Sequence, residues 1–137
     1  MLPKAVNVLL VTKNDEILLQ QRDDKPEILN PGKLNAFGGR LGDGEKYLEG
    51  ALRELAEETN LRPKADDLEL LADYEQHEEV DGITAPVACF VLHDVEPESL
   101  EVYEGRGFVG VPKGADLTSY NLSLAARYFV ERYWASS

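Results

Sequence analysis

The stretch from Gly38 to Leu61, GGRLGDGEKYLEGALRELAEETNL, constrains this chain most, because it joins a glycine-rich turn to one helix that is apolar on one side and acidic on the other. Leu48, Ala51, Leu52 and Leu55 recur at i, i+3, i+4 and i+7, the spacing of a face that enters a core, and predict a helix over Tyr47 to Thr59. Glu54, Glu57 and Glu58 stand at i, i+3 and i+4 and, at about 100° per residue, fall within an arc of roughly 100°. Each like-charged pair at this spacing is unfavourable by a few tenths of a kcal/mol, and a bound divalent ion reverses the sign. An isolated Glu-x-x-Glu-Glu is more often a solvated helix face, so the surrounding residues must decide.

Donors that are all oxygen suit Mg²⁺ or Mn²⁺, hard ions that also bind substrate phosphates. No histidine or thiol nearby competes for zinc. Arg53, one turn before Glu57, is placed to hold that carboxylate in one rotamer by a charge-assisted bond. Gly38, Gly39, Gly42 and Gly44 let the backbone turn tightly and approach a ligand closely, and the helix N-terminus adds partial positive charge there.

The full spacing is specific. Gly39, five residues, Glu45, seven residues, then Arg53-Glu54-Leu55-Ala56-Glu57-Glu58-Thr59-Asn60-Leu61 resembles the box of the Nudix hydrolase family, Gx5Ex7REUxEExGU with U aliphatic. Its fixed letters at set spacing arise by chance on the order of once in 10⁷ starting points at average composition. Two positions depart from the family. Asn60 stands where glycine is usual, at what reads as the left-handed residue after the helix, a conformation asparagine tolerates next best. Gly42 replaces a frequent glutamate and leaves one carboxylate fewer near the metals.

A net charge of -12 over 137 residues argues against a DNA or RNA polymer as partner, since counterion-release binding needs a basic patch. It remains compatible with a small anion reached through bound cations. The length predicts one domain over 1–137 with a real core. Cys89, alone and within the apolar run Val87 to Leu92, excludes an internal disulfide, fits a reducing compartment and reads as a core residue. Met1 to Val11 has neither a cleavage pattern nor a spanning length, so no membrane association and a cytoplasmic location are expected.

Ala5 to Thr12 and Glu16 to Arg22, joined by Asn14-Asp15, predict a tight hairpin in the middle of a sheet. A loop at 23–35, rich in proline, leads to a short strand, Leu34 to Phe37. Leu68 to Tyr74 and Thr84 to Leu92 predict two more strands around a polar tip at 76–82, and Gly107 to Val111 another. His77 and His93 read as surface histidines. From Leu122, apolar positions 122, 125, 126, 129, 130 and 133 predict an amphipathic helix that covers the sheet face opposite the acidic helix.

The resemblance implies an α/β fold of the Nudix type, an α/β/α sandwich around a mixed sheet, that hydrolyses a nucleoside diphosphate linked to another group with Mg²⁺, or Mn²⁺. Carried over residue by residue, Glu57 and Glu58 are metal ligands, Glu54 is a ligand or the base that aligns water, Arg53 orients them, and Glu45 braces the loop. Gly38 joins the metal set and Gly39 the substrate set. Glu104, in Tyr103-Glu104-Gly105, looks like the distal glutamate of nucleoside triphosphate members, with Glu101 in reserve. Arg22, Asn35 and Asn121 look like nucleotide-contacting positions of the MutT-like branch, although Leu34 departs from a frequent tryptophan. Each has a plainer reading: a strand-end charge, a turn amide and a helix N-cap. The implied substrate is a nucleoside triphosphate, those with an oxidised purine included, cleaved to monophosphate and pyrophosphate. A nucleotide sugar or dinucleotide, or a non-catalytic nucleotide-binding regulatory domain, are the alternatives; the oligomeric state is left open.

Overall fold

The computed structural model describes residues 4–27, 31–74 and 86–136. The expected polar tip at 76–82, His77 within it, and the first two residues of the strand expected from Thr84 lie outside them. Seven strands form one sheet: β1 (Ala5–Val11), β2 (Ile17–Gln21), β3 (Leu34–Asn35), β4 (Phe37–Arg40), β5 (Leu68–Tyr74), β6 (Val87–Leu92) and β7 (Phe108–Val111). The order is β3-β2-β1-β6-β5, with β4 paired to β1 and β7 to β2. β1 and β6 run parallel and the remaining pairs antiparallel, so the sheet is mixed.

Side chains alternate across a strand, and here both faces are covered. Val6, Val8, Leu10, Leu18, Phe37, Ala88 and Phe90 meet Ala51 and Leu55 of α1 (Tyr47–Glu58) on one face. Leu9, Val11, Ile17, Leu19, Cys89 and Val91 meet Phe129, Val130 and Tyr133 of α2 (Leu124–Ser136) on the other. Burial on both sides explains why β6 reads as a continuous apolar run and β1 as one broken only by Asn7. Cys89 is fully buried, and desolvation pushes its thiol well above the ordinary range, so it is core. Truncating Leu55, also fully buried, to alanine would cost about 2–5 kcal/mol.

The β1–β2 turn forms where expected: Thr12 Oγ1 accepts from the N–H groups of Asn14 and Glu16 at 3.3 and 3.1 Å, and Asp15 takes φ 60°. The expected single strand Leu34 to Phe37 is instead two. Leu34 and Asn35 pair with Gln21 and Gln20; beyond Ala36 the chain changes partner, and Phe37 to Arg40 pair with Val8 to Ala5. The exchange lays Gly38 and Gly39 along β1, beneath α1.

Two helix ends differ from expectation. Asn60 is not left-handed: among the described residues only Asp15 and Asp94 are non-glycine residues with positive φ. α1 ends on Thr59 in extended conformation at φ -141°, its N–H still bonded to the Leu55 carbonyl. α2 starts at Leu124 and not Leu122, because Ser123 caps it: its Oγ accepts from Ala126 N–H at 3.1 Å.

Candidate active site

Arg53 is the hub of the acidic helix. Its Nε donates to Glu45 Oε2 at 2.8 Å and its Nη2 to Glu45 Oε1 at 2.9 Å, a two-pronged pair. Nη1 reaches Glu54 at 3.0 Å and Glu57 at 3.1 and 3.2 Å, and Nη2 also donates to the Arg40 carbonyl at 3.0 Å. Glu45 in turn accepts from Gly42 N–H at 2.9 Å. The turn before α1 and the outer side of the helix are therefore one charge-paired unit. Arg53 first, then the Gly42 amide, hold the Glu45 carboxyl down at about 2, and Glu45 first among its partners raises Arg53.

The inner side is different. Glu58 is 4% exposed and accepts from Gly38 N–H at 2.9 Å. Burial pushes it up to about 8; the Gly38 amide and the Arg22 charge oppose this, while Glu54 and Glu104 add to it. Glu54 is also raised, by burial first, against the pull of Arg53 and with the push of Glu57 and Glu104. The glycines here are required. Gly38 has φ +141°, and a Cβ on it would strike the Val6 carbonyl oxygen. A Cβ on Gly39 would stand 2.7 Å from Glu54 Oε1, so that residue must lack one for the carboxylate to lie where it does.

Glu104 acts on this cluster from the far end of the chain, whereas Glu101 contributes through its backbone, bonded to Asn60. A cavity of about 450 Å³ lies between β2 and the 103–105 turn, lined by Gln20, Arg22, Asp23, Tyr103, Glu104 and Gly105. Arg22 Nε is buried there with no hydrogen-bond partner among the described residues. Gln20, 3% exposed, donates from Nε2 to the Glu104 carbonyl at 3.2 Å. Sequence reading missed Gln20 and Tyr103. The available signal for Gln20 was its period-2 relation to Arg22, which puts both side chains on one face of the strand. A larger cavity, about 620 Å³, opens beyond the C-terminal end of α1 between Asn60 and His93, and none of Glu54, Glu57, Glu58 and Glu104 lines it, so size alone does not locate the chemistry.

Asn35 and Asn121 are brought together at the junction of β3 with the start of α2, outside the lining of the 450 Å³ cavity. Asn35 lies opposite Gln20 in register, and its Oδ1 accepts from Ser123 Oγ at 2.6 Å. Asn121 Nδ2 donates to the Gly32 carbonyl at 3.3 Å, and its own carbonyl accepts from Leu34 N–H at 2.8 Å. The N-cap reading of Asn121 is corrected, since Ser123 holds that place. His93 is exposed, 3.9 Å from Glu69.

The donor chemistry suits a hard divalent cation. Glu54, Glu58 and Glu104 offer only oxygen, and Glu104 adds to the rise of both Glu54 and Glu58, a repulsion that such an ion relieves. As they stand, Glu54 and Glu57 turn to Arg53 and Glu58 to Gly38, and among the described residues no three acidic, histidine or cysteine side chains converge on one point. Among the described residues no helix is long and apolar enough to cross a membrane.

Solved structures share this architecture. A MutT protein from Methanosarcina mazei Go1 superposes with a TM-score of 0.70 at 24% identity, over 98% of this chain and 94% of that one. The E. coli dihydroneopterin triphosphate pyrophosphohydrolase gives 0.71 at 20%, over 98% and 97%. The NUDIX domain of Shewanella oneidensis NrtR, complexed with ADP ribose, gives 0.74 at 20%, over 99% and 88%. At these identities the likeness carries the fold. A model of the NUDIX domain matches residues 1–111, from β1 through the acidic helix to the end of β7. With that match over most of its length, the chain belongs to the NUDIX domain family and is a pyrophosphohydrolase.

Proposed function

We propose that the protein cleaves nucleoside triphosphates, those with oxidised purines included, to the monophosphate and pyrophosphate, with Mg²⁺ or Mn²⁺ bound by Glu54, Glu57 and Glu58. The observation that carries this reading is the pairing of opposites in one place: Glu54 and Glu58, both raised by burial and by the charge of Glu104, faced by Arg22, whose buried Nε has no hydrogen-bond partner among the described residues. A polyanionic substrate supplies acceptors for that Nε. The cation, when bound, neutralises phosphate charge and lowers the pKa of a water.

The chain's own residues do the rest. Glu54 or Glu104 takes a proton from the attacking water as its oxygen bonds to phosphorus, and the anhydride P–O bond breaks with pyrophosphate as leaving group. Arg53 holds Glu54 and Glu57 in fixed rotamers, with Glu45 bracing it. Gly38 fixes Glu58 through its amide, and Gly39 leaves room for Glu54 and for close approach of substrate. Asn35 and Asn121, each with one amide function already bonded, present the other to a base.

A panel of ordinary and oxidised dNTPs, nucleotide sugars, ADP-ribose and dinucleotides, assayed with Mg²⁺ and with Mn²⁺ in ¹⁸O-water, tests the reading. Monophosphate and pyrophosphate from a dNTP are expected, with label on a phosphorus oxygen. Label in a sugar hydroxyl eliminates the mechanism. Turnover confined to ADP-ribose or nucleotide sugars selects the second reading, which the ADP-ribose complex of the NrtR domain favours.

A further inference from the structure

Asn60 holds the position where the family pattern has glycine, yet it does not use the left-handed conformation that glycine would supply there. Its amide bonds in both directions to a segment distant in sequence. Nδ2 donates to the Ser99 carbonyl at 2.8 Å, and Oδ1 accepts from Glu101 N–H at 2.9 Å. The backbone follows suit: Asn60 N–H donates to the Glu101 carbonyl at 3.2 Å, Thr59 bridges Val102 antiparallel, and Tyr103 N–H donates to the Glu58 carbonyl at 2.7 Å. The chain leaving Glu58 is thus paired with the chain arriving at Glu104.

The Glu104 turn is held from the opposite side as well. Gln20 Nε2 bonds the Glu104 carbonyl, and Arg106 N–H bonds the Gln21 carbonyl at 2.8 Å. Glu104 itself is exposed, so nothing packs its side chain into place and its location depends on these backbone ties. Glycine at 60 would allow the backbone pairing but neither side-chain bond. An amide supplies a donor and an acceptor together, which a methyl group or an ionised carboxylate cannot.

We propose that Asn60 is a positioning residue for the hydrolysis, its two side-chain bonds setting where the Glu104 carboxylate stands relative to Glu58. The inference rests on the reading of Glu104 as part of the reacting site. A sub-ångström error in such placement lowers turnover without weakening substrate binding, because the residues that hold substrate are untouched.

The test is a double-mutant cycle with Asn60→Ala and Glu104→Gln, using dGTP at saturating Mg²⁺, or ADP-ribose if the panel above selects it. Asn60→Ala alone is expected to lower kcat about tenfold with KM within about twofold. In the Glu104→Gln background it should change kcat by less than about twofold, since the group it positions is already disabled. A crystal structure of Asn60→Ala should show the 101–104 backbone displaced while Glu54 and Glu58 stay in place. Should the alanine variant not fold, Asn60→Gly, which restores the family's residue, is expected to give the same loss. Additive losses, or an unmoved 101–104 segment, overturn the inference and leave the role of Glu104 standing. Full turnover by Glu104→Gln overturns both.

Discussion

Glu45 and Glu58 belong to one glycine turn and helix, yet the first is held at about 2 and the second raised to about 8. The outer side of α1 keeps its cation: Arg53 bonds Glu45 with two prongs and reaches Glu54 and Glu57 as well. The inner side has an amide from Gly38 and a charge at Arg22, but no cation bonded to Glu58 among the described residues. Identical side chains thus differ in acidity because one is paired and the other desolvated. The paired side fixes geometry, and the unpaired side retains demand for a cation.

The sharpest way to break this contrast is Glu58→Gln, which keeps the shape and removes the charge. Turnover should fall by roughly a thousandfold, the scale of the several kcal/mol that a bound metal ion contributes, while metal-free melting is unchanged or higher. Near wild-type kcat at saturating Mg²⁺ would show that the inner side is not where the cation is needed. Arg53→Lys attacks the outer side. Lysine cannot reproduce the fork that bonds Glu45 while reaching Glu57, so a loss of about 10- to 100-fold is expected, with Glu45 titrating closer to its ordinary range by carboxyl NMR.

Gly39→Ala sits where the two sides meet. Its methyl would force Glu54 from its place between Arg53 and the inner cluster, and about a tenfold fall in kcat should accompany a small change in melting temperature. The smallest effect is the pH dependence of the metal-free fold. A carboxyl raised from 4.5 to about 8 binds more protons folded than unfolded between those values, so stability falls as pH rises through that window. Melting temperature should therefore drop by a few degrees from pH 5 to pH 8. Glu58→Gln should flatten the profile; an unchanged slope would place its origin elsewhere.

Much of the architecture was legible in the amino-acid order. The 3.6-residue spacing of Leu48, Ala51, Leu52 and Leu55, and of the apolar positions in the last helix, placed both helices and assigned them to opposite faces of the sheet. The exchange of partners at Ala36 was not legible, because alternation marks a strand without naming its neighbour. Asn121 was weighed as a cap that Ser123 provides two residues later; both residue types cap well, and only the helix's true start distinguishes them. Gln20 was passed over because a glutamine at a strand end reads as exposed, whereas the 103–107 turn covers it.

By itself the sequence determined what lies within one helix and its turn: which carboxylates share a face, which arginine stands a turn away, and which positions need glycine. Those relations follow from covalent spacing and the helical repeat, and they hold wherever the helix is placed. The tertiary structure alone decided that Glu58 is buried and Glu57 exposed, that Glu104 is close enough to raise both Glu54 and Glu58, and that Asn60 ties the two parts together. Desolvation and Coulomb repulsion depend on distance through space, and for residues so far apart along the chain only the folded sheet sets that distance.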